Sequence, residues 1–155
     1  ILCGEQKANE IRRYIAALDS TTRDKIKDRI MGAWKCLQGS RFSFSHRTAQ
    51  EAADYIFVSH MVCLKHKDML EFEPTWDKLI DLAFLQKVLP KINGSAETLR
   101  VKADKKDPKT AVKETTLLDI LISEFRKDAE LTLCVQKLEE MKATLEREHF
   151  VSFIQ

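Results

Sequence analysis

Glycine and proline are scarce in this 155-residue chain, with four of the first and three of the second. That is too few for a protein of many short strands and tight turns. Each glycine is followed by Glu5, Ala33, Ser40 or Ser95. There is therefore no Gly-Lys pair, which excludes a Walker-type phosphate loop, and no G-x-G-x-x-G turn. Long apolar runs are also missing. The longest, Tyr55 to Leu64, includes Ser59 and His60 and is too short to span a bilayer. Charge is nearly balanced: 26 Lys and Arg against 24 Asp and Glu give a net +2. A dedicated nucleic-acid coat would carry a large basic excess, so only a local basic face stays open. Cys3, Cys36, Cys63 and Cys134 are far apart and form no C-x-x-C pair. They read as reduced thiols of a cytoplasmic protein.

What the chain does have is core material. Apolar residues make up 44% and charged residues 32%. Roughly 150 residues is one domain's worth, and such a domain buries around 68–70% of its unfolded surface. The reading is a single helical domain over 1–155. The first residue is Ile1, which suggests a piece of a longer chain.

Periodicity divides the sequence into helices. Ile11, Tyr14, Ile15 and Leu18 form one stripe over 5–18, and Ile26, Ile30, Ala33, Trp34 and Leu37 another over 22–38. Asp19 to Thr22 separates the two, and Gly39-Ser40 closes the second. Thr48 and Glu51 have capping-box spacing, predicting a third helix to about His66 with Ala52, Tyr55, Ile56, Val62 and Cys63 inward. A fourth, opened by Pro74-Thr75 and stopped by Pro90, is apolar almost all round and so central. Asn93-Gly94 turns the chain, and Ser95 caps a short helix over 96–102 with Glu97 in its first turn. Residues 102–113 are charged, carry Pro108 and read as a loop. Helices over 116–127 and 131–148 follow, then an apolar tail of Phe150, Val151, Phe153 and Ile154 that must dock on something. The expected fold class is all-α, an orthogonal bundle of six or seven helices.

Motifs for chemistry are thin. His60, Cys63 and His66 have metal-ligand flavour, but on a helix the two histidines lie about 120° apart. No metal site is expected. No nucleophile sits in a reactive turn, and Glu71, Glu73, Glu139 and Glu140 read as exposed helix charges, so no catalytic residue is assigned. Basic residues say more. Arg41, Arg47, Lys87 and Lys91 lie near turns among Phe42, Phe44 and Trp76. They form either a solvated rim or a set of phosphate contacts, since guanidinium groups suit phosphate oxygens. Arg47 is the best candidate, immediately before a capped helix N-terminus.

Three segments then take on meaning together. RFSFSHRTAQEAADYI, from Arg41 to Ile56, has an aromatic–Arg–x–x–x–Glu pattern. QKVLPKINGS, from Gln86 to Ser95, fits Q-K-[IV]-L-P-[RK]-[IL]-x-G-S. Lys137, Leu138, Met141 and Leu145, with Phe150, Ser152 and Phe153, fit K-[LI]-x-x-M-x-x-x-L…F-x-S-F. In this order, over about 40–155, they resemble the C-terminal helical part of McrB-type AAA+ proteins, the motors of modification-dependent restriction systems. Residues 1–39 fit loosely as opening lid helices.

The resemblance implies an AAA+ lid that closes over a nucleoside triphosphate held by a core elsewhere. Arg47 would be the nucleotide-sensing residue, and Arg41, Lys87 and Lys91 secondary phosphate or interface contacts. GTP or ATP with Mg2+ would belong to the parent motor, and this chain alone would bind no cofactor and not be an enzyme. Partners implied are the AAA+ core of the same or a neighbouring subunit, a ring homo-oligomer and a McrC-like nuclease subunit. DNA would be met only indirectly, and no membrane is involved. The rival expectation is a helical DNA-binding or nuclease-partner adaptor, with Arg12, Arg13, Arg23, Lys25, Lys27 and Arg29 as its basic surface. Asp24 and Asp28 interrupt that surface. The QKVLPKINGS segment also explains itself as architecture, since Pro90 stops a helix and Asn93-Gly94 reverses the chain.

Overall fold

Helix α1 (Gly4–Ala17) sets its apolar stripe against α3 and buries no residue completely. It is seen in a computed structural model that describes residues 4–101 and 115–154. The expected charged loop at 102–113 and Cys3 lie outside those residues, while the short helix expected to reach about Lys102 ends at Leu99. Among the described residues the chain is mostly helical, with seven α-helices and a two-stranded sheet.

Asp19 caps α2 (Ser20–Leu37), its carboxylate accepting from Thr22 N at 2.6 Å. Gln38 ends that helix, and Gly39 turns the chain at φ +79°. Helix α3 runs His46–Lys65, so the apolar run 55–64 is helical. Its start corrects the expected box. Ser45 is the cap, accepting from Thr48 N at 3.3 Å, while Thr48 lies inside the first turn. The preceding Phe42 and Phe44 are buried, and Trp34 Nε1 donates to the Phe44 carbonyl, which fixes the approach to the helix. Val62, expected inward, is exposed, and Phe57 takes the core position instead.

Helix α4 (Trp76–Lys87) is central, as its composition required. Thr75 caps it, and Leu79, Ile80, Ala83 and Phe84 are buried between α3 and α7. A 3-10 turn at Leu89–Lys91 leads to β1 (Asn93–Ser95) and the short α5 (Ala96–Leu99), capped by Ser95 as expected. Thr116 and Asp119 form a reciprocal capping box on α6 (Leu117–Phe125), which stops two residues early. Phe125 meets Phe84 with ring centroids 5.4 Å apart, and burying each ring contributes about 2–3 kcal/mol.

Helix α7 (Thr132–Glu148) has no cap of its own, since Leu131 occupies that position. Asp81 of α4 supplies it. Its carboxylate accepts from Leu133 N at 2.8 Å and Cys134 N at 2.9 Å, and the residue is 5% exposed. A buried charge is tolerated where N–H groups and the positive helix end face it.

The apolar tail docks as β2 (Phe150–Ser152), antiparallel to β1, pairing Asn93 with Ser152, Gly94 with Val151 and Ser95 with Phe150. Val151 is buried, and Lys137 covers the Phe153 ring at 5.1 Å. Phe150 and Ile154 stay exposed. These two strands are the departure from an all-α expectation. Among the described residues, no helix is long and apolar enough to cross a membrane.

Candidate phosphate-contact site

The first turn of α3 faces the segment between α4 and β1. Arg47 is the second residue of the helix, not the residue before it, and its side chain is 88% exposed. Its Nε donates to Glu51 Oε1 at 3.0 Å, one turn on. An exposed pair of this kind is worth well under about 1 kcal/mol, so the guanidinium is free to exchange partners. Ser45 takes the Thr48 and Ala49 N–H groups. The N–H groups of His46 and Arg47 have no partner within the helix, as at any helix start.

Of the four basic residues singled out in the sequence, Arg47 and Lys91 meet at this turn, while Arg41 and Lys87 have partners beside it. Lys91 Nζ donates to Thr48 Oγ1 at 3.1 Å, beside Arg47. Arg41 Nη2 donates to the Asn93 backbone oxygen at 3.4 Å and to Oδ1 at 3.3 Å, and its guanidinium lies 5.1 Å from the Phe42 ring centre. Lys87 Nζ sits 5.9 Å from the Tyr55 ring centre, further along α3. Arg41, Arg47, Lys87 and Lys91 are all exposed. Planar and point cations of this kind can hold a polyanion. The cluster contains no general base.

Other candidates are spoken for. His60 stacks on Trp76 at 3.8 Å, and its Nδ1 is hydrogen-bonded with the Tyr14 hydroxyl. Burial pushes the Tyr14 phenol up and the His60 imidazole down, so the proton stays on the phenol. A histidine whose folded value is depressed binds fewer protons than its unfolded form. Its stabilising share is present above about pH 6.5 and is lost as pH falls through the folded value. We expect the urea midpoint to fall between pH 7.5 and 5 by more in the parent than in His60→Phe. Equal slopes would show that His60 does not contribute.

Cys134 is buried with its thiol pushed far up by desolvation, and its Sγ donates to the Asp81 carbonyl, so it is no thiolate nucleophile. Among the described residues, no group of three or more His, Cys, Asp or Glu is arranged to hold a metal ion. Glu73 pairs with Lys67 and Glu139 with Arg126 on the surface. A cleft of about 570 Å³ between α5, α6 and α7 contains Asp119, Lys142, Glu146 and His149. Asp119 there accepts from Thr116 N, Thr116 Oγ1 and Lys142 Nζ. Desolvation opposes its charge, but the bonds from Lys142 and Thr116 outweigh it and hold the carboxyl below its usual range. It completes the capping box that Thr116 opens on α6.

The rival basic surface on α1 and α2 loses one member and has another ion-paired. Arg29 is buried and donates to the Lys127 carbonyl at 2.7 Å and to the Ala129 carbonyl. Lys25 is held by Asp77 at 2.8 Å. Sequence reasoning missed Asn93 as the bridge between Arg41 and the Lys91 segment, its amide donating to the Lys91 carbonyl at 3.2 Å. Its only signal was a place in a turn.

A protein-family model described as a domain of unknown function matches residues 5–150. No curated protein and no solved structure matches the chain. The family match runs from the second residue of α1 to the first of β2, and the chain belongs to the DUF8727 family.

Proposed function

We propose that this chain is the helical lid of a McrB-like AAA+ GTPase or ATPase of a DNA restriction system, non-catalytic alone, with Arg47 sensing the triphosphate. The observation that carries the reading is Lys91 bonded to Thr48 in the first turn of α3 beside an exposed and only weakly engaged Arg47, with Arg41 on Asn93 and Lys87 near Tyr55. The pairing of the QKVLPKINGS and F-V-S-F segments supports it as well, because two motifs quoted separately form one structural unit. An orthogonal, lid-like arrangement of the helices is part of the same reading.

In the working motor a core of the same or a neighbouring subunit holds GTP or ATP with Mg2+, and Arg47 leaves Glu51 for the terminal phosphate. That contact stabilises charge during phosphoryl transfer and supplies neither the metal nor the attacking water. Ring homo-oligomers and a McrC-like nuclease subunit complete the assembly, which meets DNA indirectly. In the full-length motor, Arg47→Ala should cut turnover about 10- to 100-fold while changing nucleotide KM less than about threefold. Unchanged turnover removes Arg47 from the site. Nucleotide hydrolysis by this chain alone defeats the reading, and tight duplex binding with a steep salt slope favours the adaptor.

A further inference from the structure

The basic cluster is tied to the far end of the chain by one short strand pair. Val151 of β2 is 1% exposed and lies opposite Gly94 of β1. Asn93, beside Gly94, pairs with Ser152, and it bonds the Arg41 guanidinium and the backbone of Lys91. Its two oxygens accept from Arg41, and its amide donates to the carbonyl of Lys91, whose ammonium reaches Thr48 next to Arg47. Bonds therefore run without a break from β2 through Asn93 to Arg41 and Lys91.

We infer that Asn93 is a positioning residue for the cluster, and that the pairing of β2 with β1 sets how tightly the cluster grips a polyphosphate. This rests on the phosphate role given to Arg47 above and adds a regulator to the same site. The physical basis is preorganisation. Free Arg and Lys side chains lose considerable rotamer entropy when a ligand fixes them, and cations already held in place lose less. Arg47, with a single exposed partner on its own helix, has no such tether to β1 or β2 among its described bonds. The cluster thus has a half joined to the β1 segment, Arg41 through Asn93 and Lys91 through its backbone, and a half that is not.

The test is a tripolyphosphate titration of the full chain followed by side-chain-resolved NMR. In the parent, Arg41, Arg47 and Lys91 signals should move together on one binding curve. Asn93→Ala should bind about three- to fivefold more weakly, with the Arg41 response lost and the Arg47 response kept. Val151→Ala, which loosens the strand pair without touching a cation, should bind about twofold more weakly and blunt Arg41 and Lys91 together. If both variants bind as the parent does and Arg41 still responds, the inference is overturned and the Arg47 reading stands. If Arg47 does not respond in the parent, the phosphate reading itself fails, and this regulation fails with it.

Discussion

Replacing Asp81 with alanine is expected to destabilise the protein by about 3 kcal/mol, measured as a lower urea midpoint at an unchanged slope. The carboxylate is 5% exposed and accepts from Leu133 N and Cys134 N, the first-turn donors of a helix whose own cap position is a leucine. Alanine would leave the buried Cys134 N–H and the part-buried Leu133 N–H without that acceptor and remove a charge that the helix end stabilises. Asp81→Asn keeps one acceptor but points a donor at the other N–H, so its loss should be smaller, about 2 kcal/mol. A loss under about 1 kcal/mol for Asp81→Ala would mean that α7 finds its start without α4.

Gly94→Ala should cost about 2–3 kcal/mol, read the same way. Gly94 sits at φ +148°, a conformation L side chains rarely adopt, and an added Cβ would lie 3.2 Å from both Cβ and Cγ2 of Thr98. Thr98 cannot easily retreat, because its N–H and hydroxyl are both bonded to the Ser95 hydroxyl. The variant would therefore strain the strand and disturb the cap of α5 together. Gly94→Ala with Thr98→Ser, which removes the crowded Cγ2 methyl, should recover part of the loss. No recovery would place the whole cost in the backbone.

The helical content could be read in the sequence because stripes such as Ile26, Ile30, Ala33 and Leu37 are period signals that tertiary packing reinforces. Ser95 was legible as a cap for the same local reason. The start of α3 was misread because Ser45, Thr48 and Glu51 all suit a helix start, and Glu51 turned to Arg47 instead. Val62 was misjudged inside an apolar run, where periodicity cannot choose a face. The strands at 93–95 and 150–152 are three residues long, too short to display a period of two. Asp81 and Arg29 were invisible as structural groups, since their partners lie 52 and about 100 positions away. Of the candidate site, the residue types were legible and their convergence was not, because it depends on how α3 meets the turn after α4.

The cap that Asp81 lends to α7 also bears on the order of assembly. A helix that borrows its beginning from a distant neighbour gains its full length only once that neighbour is in position. During synthesis α4 leaves the ribosome first, so its carboxylate waits for the later segment. A peptide limited to α6 and α7 would fray at the front of its longer helix. Docking and winding are thereby joined into one all-or-none event at the centre of the protein.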